Sequence, residues 1–142
     1  MASIAPTTAN LIHVVESLEQ ATLPAAAAIL AGAAVTIDSA GKFALADADG
    51  AGTLSQVYGI ATHTVQAGGI LTAVRRGVIG GYAFASTAYM TKVLAADTAG
   101  EITVTASESN GGSADVVIGF IGAVWDHIIG GSPTKVLVLS IA

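Results

Sequence analysis

Two short strings fifty-nine positions apart (97 − 38) constrain this chain more than anything else in it: Asp38-Ser39-Ala40-Gly41 and Asp97-Thr98-Ala99-Gly100. Each follows an apolar run, Ala33-Ala34-Val35-Thr36-Ile37 in one case and Val93-Leu94-Ala95-Ala96 in the other. An Asp that opens a four-residue stretch accepts from backbone N–H groups through its own side chain. A Gly at the fourth place supplies the left-handed conformation that returns the chain into a second strand. Asp38, Gly41, Asp97 and Gly100 therefore read as structural turn residues, and both strings as hairpin tips.

The echo continues downstream. Val57-Tyr58-Gly59-Ile60-Ala61, Gly68-Gly69 and Leu71-Thr72-Ala73-Val74 parallel Val117-Ile118-Gly119-Phe120-Ile121, Gly130-Gly131 and Lys135-Val136-Leu137-Val138. This pattern predicts an all-β chain made of two copies of one strand-rich unit, over about residues 32–85 and 90–142. Two units are too few for a solenoid, so a small closed β-barrel or clip is the economical architecture. Strands are expected near 33–37, 42–45, 55–62, 70–75 and 78–85, then near 91–94, 101–106, 116–124 and 134–141. Ser86–Tyr89 bridges the copies.

Residues 1–30 read as an extended N-terminal arm ahead of a barrel domain at 31–142. The first ten are small, polar and broken by Pro6, while Leu11-Ile12-His13-Val14-Val15 has the β-branched character of a docking strand. Gln20–Ile37 carries no charge, but Pro24, Gly32 and a mostly Ala composition deny it the Leu/Ile/Phe density of a membrane span. The start of the chain lacks the positive region of a secretory signal. No membrane partner is expected.

Composition narrows the chemistry. Ten acidic against five basic residues give a net charge of −5, which argues against nucleic acid, since phosphate recognition needs Lys and Arg. Cysteine is absent, so there are no thiolate metal sites or disulfides. His13, His63 and His127 lack partners at ligand spacing, and His63 reads as a surface residue of an alternating strand; no metal or other cofactor is expected. Asp47-Ala48-Asp49-Gly50 opens like a calcium loop, yet Leu54 and Tyr58 stand where ligands should. No nucleophile elbow or acid–base pair is present, so an enzyme is not expected. Only 11% of residues are charged, and a core of Val, Ile, Leu and Ala this thin in aromatics finishes its burial against copies of itself or a partner.

Two features read as interface anchors. Arg75-Arg76 suits an acidic partner surface or a solvated strand rim. Trp125, in a turn-like segment, fits an anchor or a lid on the core equally well.

The string Ala31-Gly32-x-x-Val35-x-x-Asp38-x-x-Gly41-Lys42, then Val57-x-Gly59-Ile60-Ala61, Ala67-Gly68 and Val74-x-x-Gly77-Val78, resembles the capsid decoration (cement) proteins of tailed bacteriophages. It is similar in particular to those built on a β-tulip-like barrel. The resemblance spans about residues 31–142. It implies a structural virion protein, a homotrimer on the outer surface of the head that clamps adjacent major capsid protein subunits. Under it, Ile4 and Leu11–Val15 (Leu11, Ile12, His13, Val14, Val15) become an arm that adds a strand to the capsid protein or to a sister subunit. The alternative is a carbohydrate- or ligand-binding β module, which needs a groove with exposed aromatics such as Trp125 and Tyr82.

Overall fold

A computed structural model describes residues 12–47, 56–82, 84, 87–96, 99–104, 117–125 and 133–141. These residues form nine strands and no helix: β1 (His13–Pro24), β2 (Ala34–Ile37), β3 (Phe43–Leu45), β4 (Gly59–Ala61), β5 (Ile70–Gly80), β6 (Lys92–Ala95), β7 (Ile102–Thr103), β8 (Val117–Trp125) and β9 (Pro133–Ser140). The chain is all-β, as its turns and alternation predict. The strands join one antiparallel sheet in the order β3-β2-β4-β5-β9-β8-β6-β7, with β1 paired to β5.

The sheet curls until its ends meet. Gly100, beside β7, donates its N–H to the carbonyl of Ala46 just past β3 (2.7 Å), and its own carbonyl accepts from Ala34 N–H (3.0 Å). The result is a small barrel-like domain filled mostly by aliphatic side chains.

The first turn has the predicted chemistry. Asp38 Oδ1 accepts from Ala40 N–H (2.9 Å) and Lys42 N–H (3.0 Å). Gly41 N–H donates to the Asp38 carbonyl at 3.0 Å. Gly41 and Gly100 both lie in the left-handed region, with φ of +78° and +79°. Asp97 lies outside the described residues.

The duplication is visible in the register. Val35 faces Gly59 across β2–β4, and Val93 faces Gly119 across β6–β8. Ala61 faces Ala73 across β4–β5, and Ile121 faces Leu137 across β8–β9. Ahead of β2, Gly32 donates to Ala61 carbonyl; ahead of β6, Met90 donates to Ile121 carbonyl, both at 2.8 Å. Met90 shares the positive φ of Gly32, +67° against +87°, and is the one non-glycine among the described residues to do so.

The structure draws the units differently from two separate blocks. The pairing of Ala21 with Ala73 between β1 and β5 recurs as Ile79 with Leu137 between β5 and β9. Strand β5 thus closes the first unit and opens the second, and β1 is the opening strand of the first. Residues 13–24 are part of the sheet, paired within their own chain.

Other boundaries shift as well. Ile70–Gly80 is one continuous strand where a break after Arg75 was expected. Gly77 lets the two backbones close up here: a Cβ on it would fall on the Glu16 carbonyl oxygen of β1. Among the described residues, the strand expected over 55–62 covers Gly59–Ala61, and His63 sits in a bend after it. Trp125 ends β8 opposite Pro133 instead of standing in a turn.

Two hydrophobic clusters flank β5. The larger holds Ile60, Val74, Ile79, Val93, Ile118, Ile121 and Leu137; the smaller holds Ala25, Ile29, Val35, Phe43, Leu71 and Ala73. Consecutive residues of a strand point to opposite faces, so Ala73 and Val74, both fully buried, send one side chain into each cluster.

Candidate interaction surface

The N-terminal two thirds of β1 present side chains that the chain leaves exposed. Residues 13–20 are all exposed, on both faces of the strand. Val14, Val15 and Leu18 are 40%, 44% and 72% exposed. Along β5 the strand is held by its backbone, with register shifts between Val14 and Glu16, between Ser17 and Glu19, and between Glu19 and Gln20. Its root is firm by contrast. Ala25 and Ile29 are each 1% exposed, and Ile29 exchanges two backbone hydrogen bonds with Val65 (2.9 and 3.0 Å).

The residues assigned to the arm part company here. Ile4 and Leu11 lie outside the described residues. Ile12 is buried in the larger core cluster, its side chain packed on Gly32 so closely that a Cβ there would lie 2.9 Å away. His13 lies over Gly80, where a Cβ would come within 2.5 Å of the imidazole. Val14 and Val15 are the exposed members.

The two arginines differ. Arg75 is half-buried, paired with Glu19 of β1 at 3.4 Å, with its guanidinium 5.2 Å from the centre of the Tyr58 ring. Burial raises the Tyr58 pKa, nearby Glu19 adds to the shift and Arg75 opposes it. Arg76 is exposed, and its Nε reaches the Ile141 carbonyl at 3.5 Å. Trp125 is far from both. It stands opposite Pro133, whereas Arg76 stands opposite Ser140 at the other end of β9. Seven residues separate those ends (140 − 133), about 23 Å along a strand. The sequence-based anchors therefore do not form one patch.

A cleft of about 340 Å³ lies where the chain leaves β5, lined by Tyr82, Phe84, Tyr89, Pro133, Thr134 and Lys135. Tyr82 and Phe84 stack with ring centres 5.3 Å apart. The Tyr82 hydroxyl is spent on the Gly32 carbonyl (2.5 Å), and burial pushes its pKa far above the usual 10.0. Tyr89 is 42% exposed, with Lys135 Nζ 5.1 Å from its ring centre; the same ammonium donates to the Thr87 carbonyl. Met90 beside it is 70% exposed on its strained turn. Nothing in the sequence singles out Tyr89, Met90 and Lys135; the first two are chain neighbours, and Lys135 reaches Tyr89 only through the fold.

His63 has local partners, Thr62 Oγ1 at 3.0 Å and the Ile70 carbonyl at 3.1 Å. His127 and the stretch 48–55 lie outside the described residues. Among the described residues no three His, Asp or Glu side chains gather as a metal site would require. Compared with family models, with curated proteins and with solved structures, the chain matches none.

Proposed function

We propose that this chain is a structural virion protein that binds the outside of a phage head as a homotrimer and cements adjacent major capsid protein subunits. The observation that carries the reading is β1: a twelve-residue strand paired along β5 whose residues 13–20 are all exposed. Exposed edge strands invite pairing and are ordinarily shortened or charged to prevent it. Leaving Leu18 open at the surface makes sense for a chain that works against other protein.

Three further points support the reading. The turn glycines and apolar strands that resemble phage cement proteins occupy the sheet and its tips. The net charge of −5 suits an exterior position away from packaged DNA. Contacts repeated over a shell act together, so no single site need be tight.

The carbohydrate-binding alternative draws on the aromatic cleft, but the cleft serves it poorly. Tyr82 is 8% exposed and its hydroxyl is committed, so Tyr89 is the accessible ring, and a lysine ammonium already sits over it. Incubating the purified protein with expanded, undecorated heads and sedimenting the mixture tests the proposal. Saturable binding in multiples of three, with heads made more resistant to rupture, is the expected result. Folded protein that stays in the supernatant at every concentration would overturn it, and specific retention on a glycan array would favour the alternative.

A further inference from the structure

We propose that Gly100 is the fastener of the barrel. It holds the two ends of the sheet together, and its release parts the two units while β5 and β9 stay paired as a hinge. The inference goes beyond the virion reading and does not depend on it.

The duplicated turn supplies its own control. Gly41 and Gly100 close the same Asp-x-Ala-Gly string with the same backbone conformation, φ +78° and +79°. Their surroundings are opposite. Gly41 is exposed and gives its N–H to Asp38 of its own turn, and a Cβ on it would meet nothing within 4 Å. Gly100 is buried. A Cβ on it would lie 2.8 Å from Leu45 Cδ2 of β3 and 3.6 Å from the Cβ of Ala33, just ahead of β2. One copy of the turn is a free tip, and the other is inserted into the opposite unit.

The insertion completes a ring of three backbone hydrogen bonds. Ala46 N–H donates to the Ala34 carbonyl (2.9 Å), Ala34 N–H to the Gly100 carbonyl (3.0 Å), and Gly100 N–H to the Ala46 carbonyl (2.7 Å). Each member gives one bond and takes one. Ala34 and Ala46 are both 0% exposed, so withdrawing Gly100 strips a buried donor and a buried acceptor of their partner. The two bonds that cross between the units therefore break together.

The units also meet in mid-sheet, through a join of a different kind. Four residue pairs, Arg76–Ser140 to Ile79–Leu137, tie β5 to β9 in the middle of the strand order. Beside the fastener, β7 has two residues and β3 has three, and they stand at the two ends of that order. Short terminal strands open at lower free energy than central ones, so the seam yields first and the ladder acts as the hinge. Opening there uncovers Ala34, Ala46 and Ile102 of the larger core cluster.

Native-state hydrogen exchange on the full chain tests this. The Ala34 and Gly100 amides should share one protection factor, about tenfold or more below that of the β5–β9 amides, with a weaker dependence on urea. Ala33→Cys with Gly100→Cys then locks the seam. The chain has no cysteine of its own, and the 3.6 Å Cβ spacing falls within the span of about 3.5–4.5 Å that a disulfide bridges. Oxidation should raise Ala34 protection to that of the ladder, and reduction should restore the gap. In urea unfolding, Gly41→Ala should lower the folding equilibrium constant about fivefold, and Gly100→Ala at least about tenfold more than that.

Ala34 and Gly100 amides that exchange only together with the β5–β9 ladder would overturn the proposal, since no separate opening then exists. A gap that survives in the oxidised pair would do the same, by tracing exchange to motion that needs no parting of the units. Equal losses from Gly41→Ala and Gly100→Ala would show that Gly100 fastens nothing. Should the cysteine pair fail to fold, the parent's exchange pattern and the two alanine variants decide the matter without it.

Discussion

Replacing Gly59 by alanine tests the duplicated architecture at its tightest point. A Cβ on Gly59 would fall on the carbonyl oxygen of Val74 in β5, well inside the 3.0 Å that real Cβ atoms keep, and the obstructing atom is backbone. Strands β4 and β5 must then separate by about 1 Å to restore van der Waals contact. Their ladder rests on two residue pairs, Ile60–Val74 and Ala61–Ala73, so little remains to hold it after such an opening. Losing about two backbone hydrogen bonds at ~1 kcal/mol each, plus ~1 kcal/mol for the gap left beside Ile60 and Val74, gives a cost of about 3 kcal/mol.

Gly119 stands in the same relation to the Val138 carbonyl oxygen in the second unit, so Gly119→Ala should cost about the same. Gly68→Ala separates crowding from backbone conformation. Its φ is +83°, but a Cβ there meets nothing within 4 Å. It should cost only the left-handed penalty, about 1 kcal/mol. Urea unfolding with an unchanged m-value reads all three as midpoint shifts. The reasoning fails if Gly59→Ala costs no more than Gly68→Ala, or if Gly59 and Gly119 differ by more than about 1.5 kcal/mol.

Three further outcomes follow from named contacts. Met90→Gly should stabilise by about 0.5 kcal/mol, because relief of a left-handed side chain (about 1–2) exceeds the added entropy of glycine (about 0.5–1); a raised urea midpoint checks it. Tyr82→Phe should destabilise by about 1–3 kcal/mol by stripping the Gly32 carbonyl of its buried donor. The raised Tyr82 pKa also fixes a sign: the folded state keeps a proton that the unfolded chain releases above pH 10, so stability is full below pH 10 and falls above it. That fall, about 1.4 kcal/mol per pH unit from this group, should disappear in Tyr82→Phe when unfolding is measured between pH 9 and about 11. Asp38→Ala removes two acceptor contacts from an exposed turn and should cost about 1 kcal/mol by thermal unfolding.

What the sequence shows of this fold is what local chemistry encodes. Asp38 and Gly41 specify their turn within four residues, and the apolar runs beside them are buried strands, so hairpin tips and strand class are legible. The β5 strand is not. Arg75-Arg76-Gly77 looks like punctuation, because charge and glycine usually end a strand. Here Glu19 and Tyr58 take up Arg75, and Gly77 exists to let the β1 backbone come close. The β1 partners in both, Glu19 for Arg75 and Glu16 for Gly77, lie more than fifty positions away. The cleft is hidden for the same reason, since Tyr89 and Lys135 are brought together by a sheet that no short window of sequence describes.

β1 is legible only at its start, where β-branched residues mark a strand at 11–15; its length to Pro24 and its pairing with β5 are not, for a different physical reason. A strand announces itself by alternation when one face is buried and the other wet. Residues 13–20 are exposed on both faces, so burial imposes no period, and their equivalents in β5, buried among two clusters, share little of their composition. What survives between the two strands is backbone register, Ala21 with Ala73 and Ile79 with Leu137, which side-chain patterns do not record. Residues 13–20 are therefore little constrained by the core, whereas Ala21 and Leu23 further along β1 pack against the smaller cluster. Val14, Val15 and Leu18 stay apolar there while exposed, and they are the surface that the proposed virion role would set against other protein.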